Sequence, residues 1–353
     1  MNRYAMGIDI GGTFTDVVLY DMAEGRRLTR KTLTTPGDPA EAVLSAVDQV
    51  LAEEAVSARE IERVVHATTL FTNALIERKG ARTALLTTEG FRDSLEIGRE
   101  RKYDLYDLAA KKPRPLVPRD LRFEAGERIL ADGSIHQALD DNSLAKAAEA
   151  LREAQVGSLA IVFLHSYRND SHERTAGDRM AELLPDIAIS LSSDVAPEIR
   201  EFERASTTVA NAYIKPLARD YLDALGSRLG DRAITAPLLL MLSSGGLTHV
   251  GEVRRSPVQM LESGPAAGAL AAADIGRAEG LEHVLAFDMG GTTAKLCLID
   301  GDEPDIAYRF EAARERRFAE GSGLPIRIST VELIEIGAGG GSIASLDELN
   351  RIL

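Results

Sequence analysis

Two stretches near opposite ends of the chain share one layout. GIDIGGTFTDVVLYD, Gly7 to Asp21, aligns without a gap on AFDMGGTTAKLCLID, Ala286 to Asp300. The identical positions are Asp9 with Asp288, Gly11 with Gly290, Gly12 with Gly291, Thr13 with Thr292, Leu19 with Leu298 and Asp21 with Asp300. Each copy reads as an apolar strand, an acid, two glycines, a threonine and a second apolar strand, the pattern of a β-hairpin with an open turn. The copies lie too far apart for a solenoid repeat. They suit two related domains that each begin with a hairpin.

The residue types point to phosphate. Glycine lets backbone N–H groups approach phosphate oxygens without an intervening Cβ. Threonine hydroxyls add donors. A strand-end aspartate repels phosphate directly but can hold Mg²⁺, which takes few carboxylates and keeps much of its water. Two such hairpins facing one cleft would grip a polyphosphate from both walls. This places ATP and a divalent ion between them, with Asp9 and Asp288 as catalytic and metal-binding candidates. The first turn would contribute Gly11, Gly12, Thr13, Thr15 and Asp16, and the second Gly290, Gly291, Thr292 and Thr293. No Walker loop occurs and neither glycine pair opens a helix, so this is not a P-loop or a dinucleotide fingerprint. Two further glycine segments are candidates for the same cleft. Glu262 to Gly268 opens a small-residue helix and brings Gly264, although the alanines that follow are equally those of a tightly packed helix. Ile336 to Ser342 carries Gly339, Gly340 and Gly341, as a ligand loop or a plain turn.

Charge and composition narrow the class. The 353 residues exceed one ordinary domain. A net charge of -14 argues against a nucleic-acid partner. A single cysteine, Cys297, excludes an intrachain disulfide and a cysteine-rich zinc site, and fits a reducing compartment. No long apolar run precedes the first glycines, so neither a signal peptide nor a membrane span is expected, and a cytoplasmic enzyme is.

Between the repeats, strands alternate with helices, which is the order of an α/β layer structure. Strands are expected at residues 4–10, 16–20, 28–34, 63–67, 83–87, 159–165, 187–191 and 238–242. Asp38, Pro39 and Glu41 open a helix whose buried face is Ala40, Val43, Leu44, Val47, Val50 and Leu51. Other helices are expected at 70–78, 142–154 and 170–184, the last with Asp170 and Glu173 as a capping box. A long helix is expected from Pro197, with Glu198, Glu201 and Glu203 beside Arg200 and Arg204 as an exposed ion-pair face. The basic, proline-rich run 111–118 reads as a surface connector or the border of a substrate site.

The motifs together resemble the N-terminal half of the hydantoinase A/oxoprolinase family, within the sugar kinase–chaperone–actin superfamily. The resemblance rests on GIDIGGTFTD, HATTLFTNALIERKGART (His66 to Thr83), TTEGFRDSLEIGR (Thr87 to Arg99), LHSYRN (Leu164 to Asn169) and PEIREFERASTTVANAYIKP (Pro197 to Pro216). It extends through SSGG (Ser243 to Gly246), ESGPAAG (Glu262 to Gly268), FDMGGTTAK (Phe287 to Lys295) and IGAGGGSI (Ile336 to Ile343), and so covers essentially the whole chain. It implies a duplicated ribonuclease-H-like fold, ATP with Mg²⁺ or another divalent ion, and chemistry at amide or ketone carbonyls. That chemistry is the opening of a hydantoin or 5-oxoproline ring, or the carboxylation of a ketone such as acetone or acetophenone. It also implies a B-type partner subunit within an oligomer. Many members carry aspartate where this second turn has Lys295. They run to about twice this length, so the second domain is expected to be incomplete. Residues 1–250 are assigned to the first region, with an inserted middle subdomain, and 251–353 to the start of the second.

Under this resemblance His66 becomes a candidate catalytic or substrate contact, with a hydrogen-bonded structural histidine as the alternative. Thr68, Thr69 and Asn73 would sit beside it. Arg99, with Arg101 and Lys102, would meet a substrate carboxylate or lie in a solvated loop. The expected reaction is ATP-driven: phosphorylation of a lactam oxygen turns a poor electrophile into one that water opens. A ketone carboxylase subunit and a non-catalytic nucleotide switch are the competing readings.

Overall fold

The structure is a computed structural model and describes every residue except 1, 2, 36, 54, 101, 291, 292, 315, 317, 318, 337, 338, 349, 350, 352 and 353. The chain opens with three strands, β1 (Tyr4–Ile10), β2 (Phe14–Asp21) and β3 (Arg26–Leu33), then α1 (Pro39–Glu53), β4 (Ile61–Thr68), α2 (Leu70–Ile76) and β5 (Thr83–Thr88). The middle comprises α3 (Ser94–Ile97), β6 (Arg122–Ala125), a small hairpin of β7 (Arg128–Ile129) and β8 (Ile135–Gln137), α4 (Asp141–Glu153), β9 (Ser158–Val162), α5 (Ser171–Leu183), β10 (Ala188–Leu191) and α6 (Ser192–Val195). Then come α7 (Glu201–Asp231), β11 (Leu238–Met241), β12 (Leu247–His249), α8 (Val250–Arg255) and α9 (Ser263–Glu279). The second hairpin is β13 (His283–Met289) and β14 (Ala294–Asp300). Short strands follow: β15 (Glu303–Pro304), β16 (Ile306–Ala307), β17 (Phe310–Ala312), β18 (Leu324–Ile326), β19 (Thr330–Val331) and β20 (Ile334–Ile336).

The first sheet has the order β12-β11-β4-β1-β2-β3. β1, β2 and β3 are antiparallel neighbours, while β4 and β11 run parallel to β1 and to β4 respectively. Three antiparallel strands followed by parallel ones is the arrangement expected of a ribonuclease-H-like sheet. A second sheet, β10-β9-β5-β6, is parallel throughout. Its central strands β5 and β9 are buried along their whole length, as strands covered on both faces must be.

Period-two alternation along β1 decides which face does what. Met6, Ile8 and Ile10 enter the main core with Val43, Val47 and Val50 of α1, each side chain contributing about 1.5–3 kcal/mol by its burial. Gly7 and Asp9 therefore point to the opposite face. Their repeat partners behave differently. Leu285, Phe287 and Met289 occupy the positions of Met6, Ile8 and Ile10, yet are 56%, 58% and 51% exposed. The described residues place no counterpart of α1 over them.

Close packing between α7 and the loop after α2 leaves no room at Gly80. A Cβ there would lie 2.2 Å from the Tyr213 ring and 2.6 Å from the Tyr213 carbonyl oxygen. That carbonyl accepts the Ala81 N–H at 2.9 Å, so the backbone cannot easily retreat. Gly80→Ala is expected to lower folding stability by about 1–3 kcal/mol, measurable in a urea titration. An unchanged midpoint would contradict this packing.

Several expected details are corrected. The long helix starts at Glu201, not Pro197; Arg200 has φ 77°, turning the chain just before the helix, and the Glu198 carbonyl is held by the Arg204 guanidinium at 2.8 Å. The charged cluster there is only in part an exposed face: Glu198, Arg200 and Glu201 are exposed. Glu203 and Arg204 are buried: Glu203 accepts from Arg99, and Arg204 donates to the Phe163 carbonyl beneath the Tyr167 ring. β9 ends at Val162 rather than His165, which has φ 57°. Glu173 does not cap α5. It is buried and accepts from the Phe163 and Ser193 N–H groups and the Ser192 hydroxyl. Burial raises its pKa against those bonds.

Candidate active site

The two hairpins are built alike. In β1–β2, Asp9 pairs with Asp16 and Ile10 with Thr15; in β13–β14, Asp288 pairs with Lys295 and Met289 with Ala294. Each turn is closed by one backbone bond at the equivalent position. The Gly11 N–H donates to the Phe14 carbonyl and the Gly290 N–H to the Thr293 carbonyl, both at 2.9 Å. Gly291 and Thr292 lie outside the described residues.

Helix α9 connects the two hairpins physically. Its alanine face packs on the second: Ala266, Ala269 and Ala273 form a small core with Cys297 and Ile299. Its first turn meets the first hairpin, where a Cβ on Gly264 would lie 3.1 Å from Asp9 Oδ1 and 3.6 Å from Thr69 Cγ2. Glycine is thus what lets the helix start this close to the aspartate. The preceding residue, Glu262, takes the left-handed conformation with φ 63° and forms an ion pair with Lys295 of β14. Both side chains are largely buried. The same pair therefore ties the helix start to the second hairpin, opposite Asp288.

Asp9 is the distinctive group. Its Oδ1 is buried and makes no hydrogen bond among the described residues. Burial first, then the charges of Asp16 and Asp288, push its pKa up to about 6, with Lys31 opposing. Asp288, itself exposed, thus lies close enough to Asp9 for the two carboxylates to repel. An unsatisfied buried carboxylate oxygen beside a second carboxylate suits a divalent cation. No group of three or more His, Cys, Asp or Glu with metal-ligand geometry occurs among the described residues. Mg²⁺ needs only one or two carboxylates when phosphate and water complete its shell.

The other candidates divide. Gly12 and Thr13 are exposed on the first turn, and a Cβ on Gly12 would lie 3.3 Å from Asn73 Nδ2. Thr69 and Asn73 are partly buried at the start of α2 and border this turn. Gly340 reaches the second turn, its N–H donating to the Gly290 carbonyl at 3.0 Å, while Gly339 and Ser342 close their own loop and Gly341 is exposed. Asp16 is held by Lys31. Thr15 is corrected. It is fully buried, and its hydroxyl meets that of Thr34 at 3.1 Å, which in turn holds the Gly11 carbonyl, so it braces the turn from behind. Thr68 is also buried: its backbone exchanges bonds with the Ser263 hydroxyl and its own hydroxyl accepts the Leu70 N–H. Arg99 is bound to Glu203 at 2.7 Å, away from the two turns, and borders a separate cavity.

His66 is likewise corrected. β4 continues to Thr68, so His66 lies within the sheet, pairing with Ile8 and Leu240. It has no exposed surface; Nδ1 meets the Ile8 carbonyl at 3.2 Å and Nε2 the Tyr221 hydroxyl at 2.9 Å. Burial lowers its pKa to about 4. The neutral ring is the folded form, so its stabilisation is complete above pH 6.5 and is lost as pH falls towards 4. The size is about 3 kcal/mol. Asp9 acts oppositely over pH 4–6, so the comparison must be against a variant. His66→Gln is expected to flatten the loss of stability between pH 7 and pH 4.5, read by denaturant titration at each pH. An unchanged slope would contradict a buried neutral imidazole.

The profile of the hydantoinase/oxoprolinase N-terminal region matches residues 5–184, and that of hydantoinase/oxoprolinase matches residues 204–353. The caprolactamase alpha subunit of Pseudomonas jessenii is 35% identical over 356 residues, covering 99% of this chain and 50% of that protein. The acetophenone carboxylase gamma subunit of Aromatoleum aromaticum is 29% identical over 361 residues, covering 97% and 48% respectively. The crystal structure of the ATP-dependent caprolactamase from Pseudomonas jessenii superposes with a TM-score of 0.86 at 33% identity, covering 99% of this chain and 50% of that one. The chain spans about half the length of these relatives. No helix among the described residues is long and apolar enough to cross a membrane.

Proposed function

Because the chain belongs to the hydantoinase/oxoprolinase family, we propose that it is the nucleotide-binding part of an ATP-dependent hydrolase that opens cyclic amides. The observation that carries this reading is the buried Oδ1 of Asp9, which has no hydrogen-bond partner among the described residues and feels the charge of Asp288, beside two glycine turns that are closed alike. The resemblance to a caprolactamase subunit favours an amide over a ketone.

Asp9 and Asp288 would hold a divalent ion. Bound there, Mg²⁺ would offset phosphate charge and orient the γ-phosphoryl group. The chain supplies the rest by positioning and electrostatics. Backbone N–H groups of the exposed Gly12–Thr13 turn and the start of α9 face the phosphates, the helix adding the positive end of its dipole. The Gly290 and Gly340 segments form the opposite wall. In the proposed chemistry the lactam oxygen attacks the γ-phosphorus and ADP leaves. Water then adds to the activated carbon, the C–N bond breaks to give an amine and an acyl phosphate, and a second water releases phosphate and leaves the carboxylate. Overall, two waters are consumed with one ATP.

Two partners are proposed. The apolar stripe of Leu285, Phe287 and Met289 is the second copy of a face that α1 covers in the first, so polypeptide completing this sheet would cover it. A B-type hydantoinase subunit is proposed to complete the working enzyme.

The test is phosphate release from Mg-ATP by the protein with its B-type subunit. Release stimulated by ε-caprolactam, hydantoin or 5-oxoproline is expected. Release that instead requires acetophenone and bicarbonate would assign a carboxylase. Tight nucleotide binding indifferent to all of them would assign a switch.

A further inference from the structure

A cavity of about 80 Å³ lies apart from the glycine turns, between α3, the proline-rich run at 113–116, the start of α7 and β18. Its wall includes Leu95, Tyr103, Leu116, Phe202, Val209 and Leu324. It is too small for a nucleotide and suits a compact ring compound. The glycines bordering it hold it open: Gly98 has φ 58° with the Phe202 ring 3.4 Å from where a Cβ would stand, and Gly321 has φ 90°.

The charged groups around this cavity are already engaged. Arg99 donates to Glu203 at 2.7 Å. Glu311 accepts from the Gly321 N–H at 2.9 Å and from Arg314 at 3.2 Å. Lys112 donates to the Glu96 and Ile97 carbonyls, and Lys102 to that of Leu108. A charged ligand would have to break these contacts or remain unanswered in an apolar wall. One polar group is different. Ser206, on α7 and only 6% exposed, makes no side-chain hydrogen bond among the described residues. Serine within a helix commonly bonds its own backbone, and Thr207 and Thr208 beside it do so. The Ser206 hydroxyl is left to serve the cavity as donor and acceptor.

Glu311 borders both this cavity and a neighbouring one of about 170 Å³ that is lined by Glu262 and Lys295.

We propose that this cavity binds the carbonyl substrate: an uncharged, compact, mostly apolar cyclic amide whose amide group is met by the Ser206 hydroxyl. This rests on the lactam-opening reading for its role, but binding is measured without ATP, so the two can fail separately. The chain contains no tryptophan, so Tyr103→Trp places a single fluorescent reporter at the cavity. δ-Valerolactam is expected to change its emission saturably, and the 5-oxoproline anion to bind at least about tenfold more weakly. Ser206→Ala in this background is expected to weaken δ-valerolactam about fivefold, the size of one net hydrogen bond. Leu116→Phe, which fills the space, is expected to abolish binding, with calorimetry on the unaltered chain as the control for the reporter. No saturable binding, equal binding of the anion, or an unchanged affinity in Ser206→Ala would overturn the assignment. Should Leu116→Phe fail to fold by circular dichroism, the Ser206→Ala comparison decides. Lactam binding without lactam-stimulated phosphate release would count against the reaction and leave the pocket standing.

Discussion

Asp9→Asn is expected to make the protein more stable at pH 8 and to cost it most of its affinity for Mg-nucleotide. The two effects share one cause. A carboxylate whose pKa is pushed up to about 6 by burial and by the neighbouring charges of Asp16 and Asp288 is unfavourably ionised in the folded state. The penalty is absent below about pH 4, grows as pH rises, and is complete above pH 6. Two pH units correspond to a ceiling of about 3 kcal/mol. Asparagine removes the charge and keeps the shape, so the variant should melt higher at pH 8 and equal the wild type near pH 4. The same charge is what a divalent ion would use, and losing one charge-assisted contact should weaken Mg-nucleotide binding by about 10–100-fold. Melting curves at the two pH values and calorimetric titration with Mg-ATP check both halves. A variant less stable at pH 8, or one that binds as before, would contradict the assignment.

Lys295→Ala should do the reverse and destabilise the protein. Glu262 is 5% exposed at its side chain and Lys295 16%. Removing the lysine strands a buried carboxylate on a residue already in the left-handed conformation, a loss of about 3–5 kcal/mol. The double variant Glu262→Gln, Lys295→Ala should recover more than half of it, because no charge remains to be stranded. Additive losses in the double-mutant cycle would show that the two residues act independently. Because this pair joins the start of α9 to β14, the single variant should also bind nucleotide less tightly. The aspartate that the resemblance places at this position in many relatives would be worse still here, adding a third carboxylate to Asp288 and Glu262.

The repeat was legible because each copy carries its own local instructions. Alternating apolar strands and a glycine pair suffice to specify a hairpin, and the equivalent Gly11 and Gly290 bonds follow from the equivalent sequence. The face of α1 was legible for the same reason, through helical spacing. Thr15 could have been read correctly from alternation alone: with Asp9 and Asp16 paired on one face, its neighbour must turn to the other. The remaining corrections depend on partners distant in sequence. His66 is settled by a tyrosine 155 positions away, and Glu173 by Ser192 and the Phe163 backbone rather than by its own helix. A capping-box pattern has no means of anticipating that a better set of donors will arrive from another strand. Lys295 reads as a departure from a motif until Glu262 is seen opposite it.

The central claim is that both glycine turns and the start of α9 hold one triphosphate together. Amide hydrogen exchange with and without a saturating non-hydrolysable ATP analogue and Mg²⁺ tests it directly. Peptides carrying Gly11–Thr13, Gly264–Ala266 and Gly290 should gain protection together, and should lose that gain together in Asp9→Asn. Protection confined to one hairpin, or to neither, would mean that the two turns do not share a ligand.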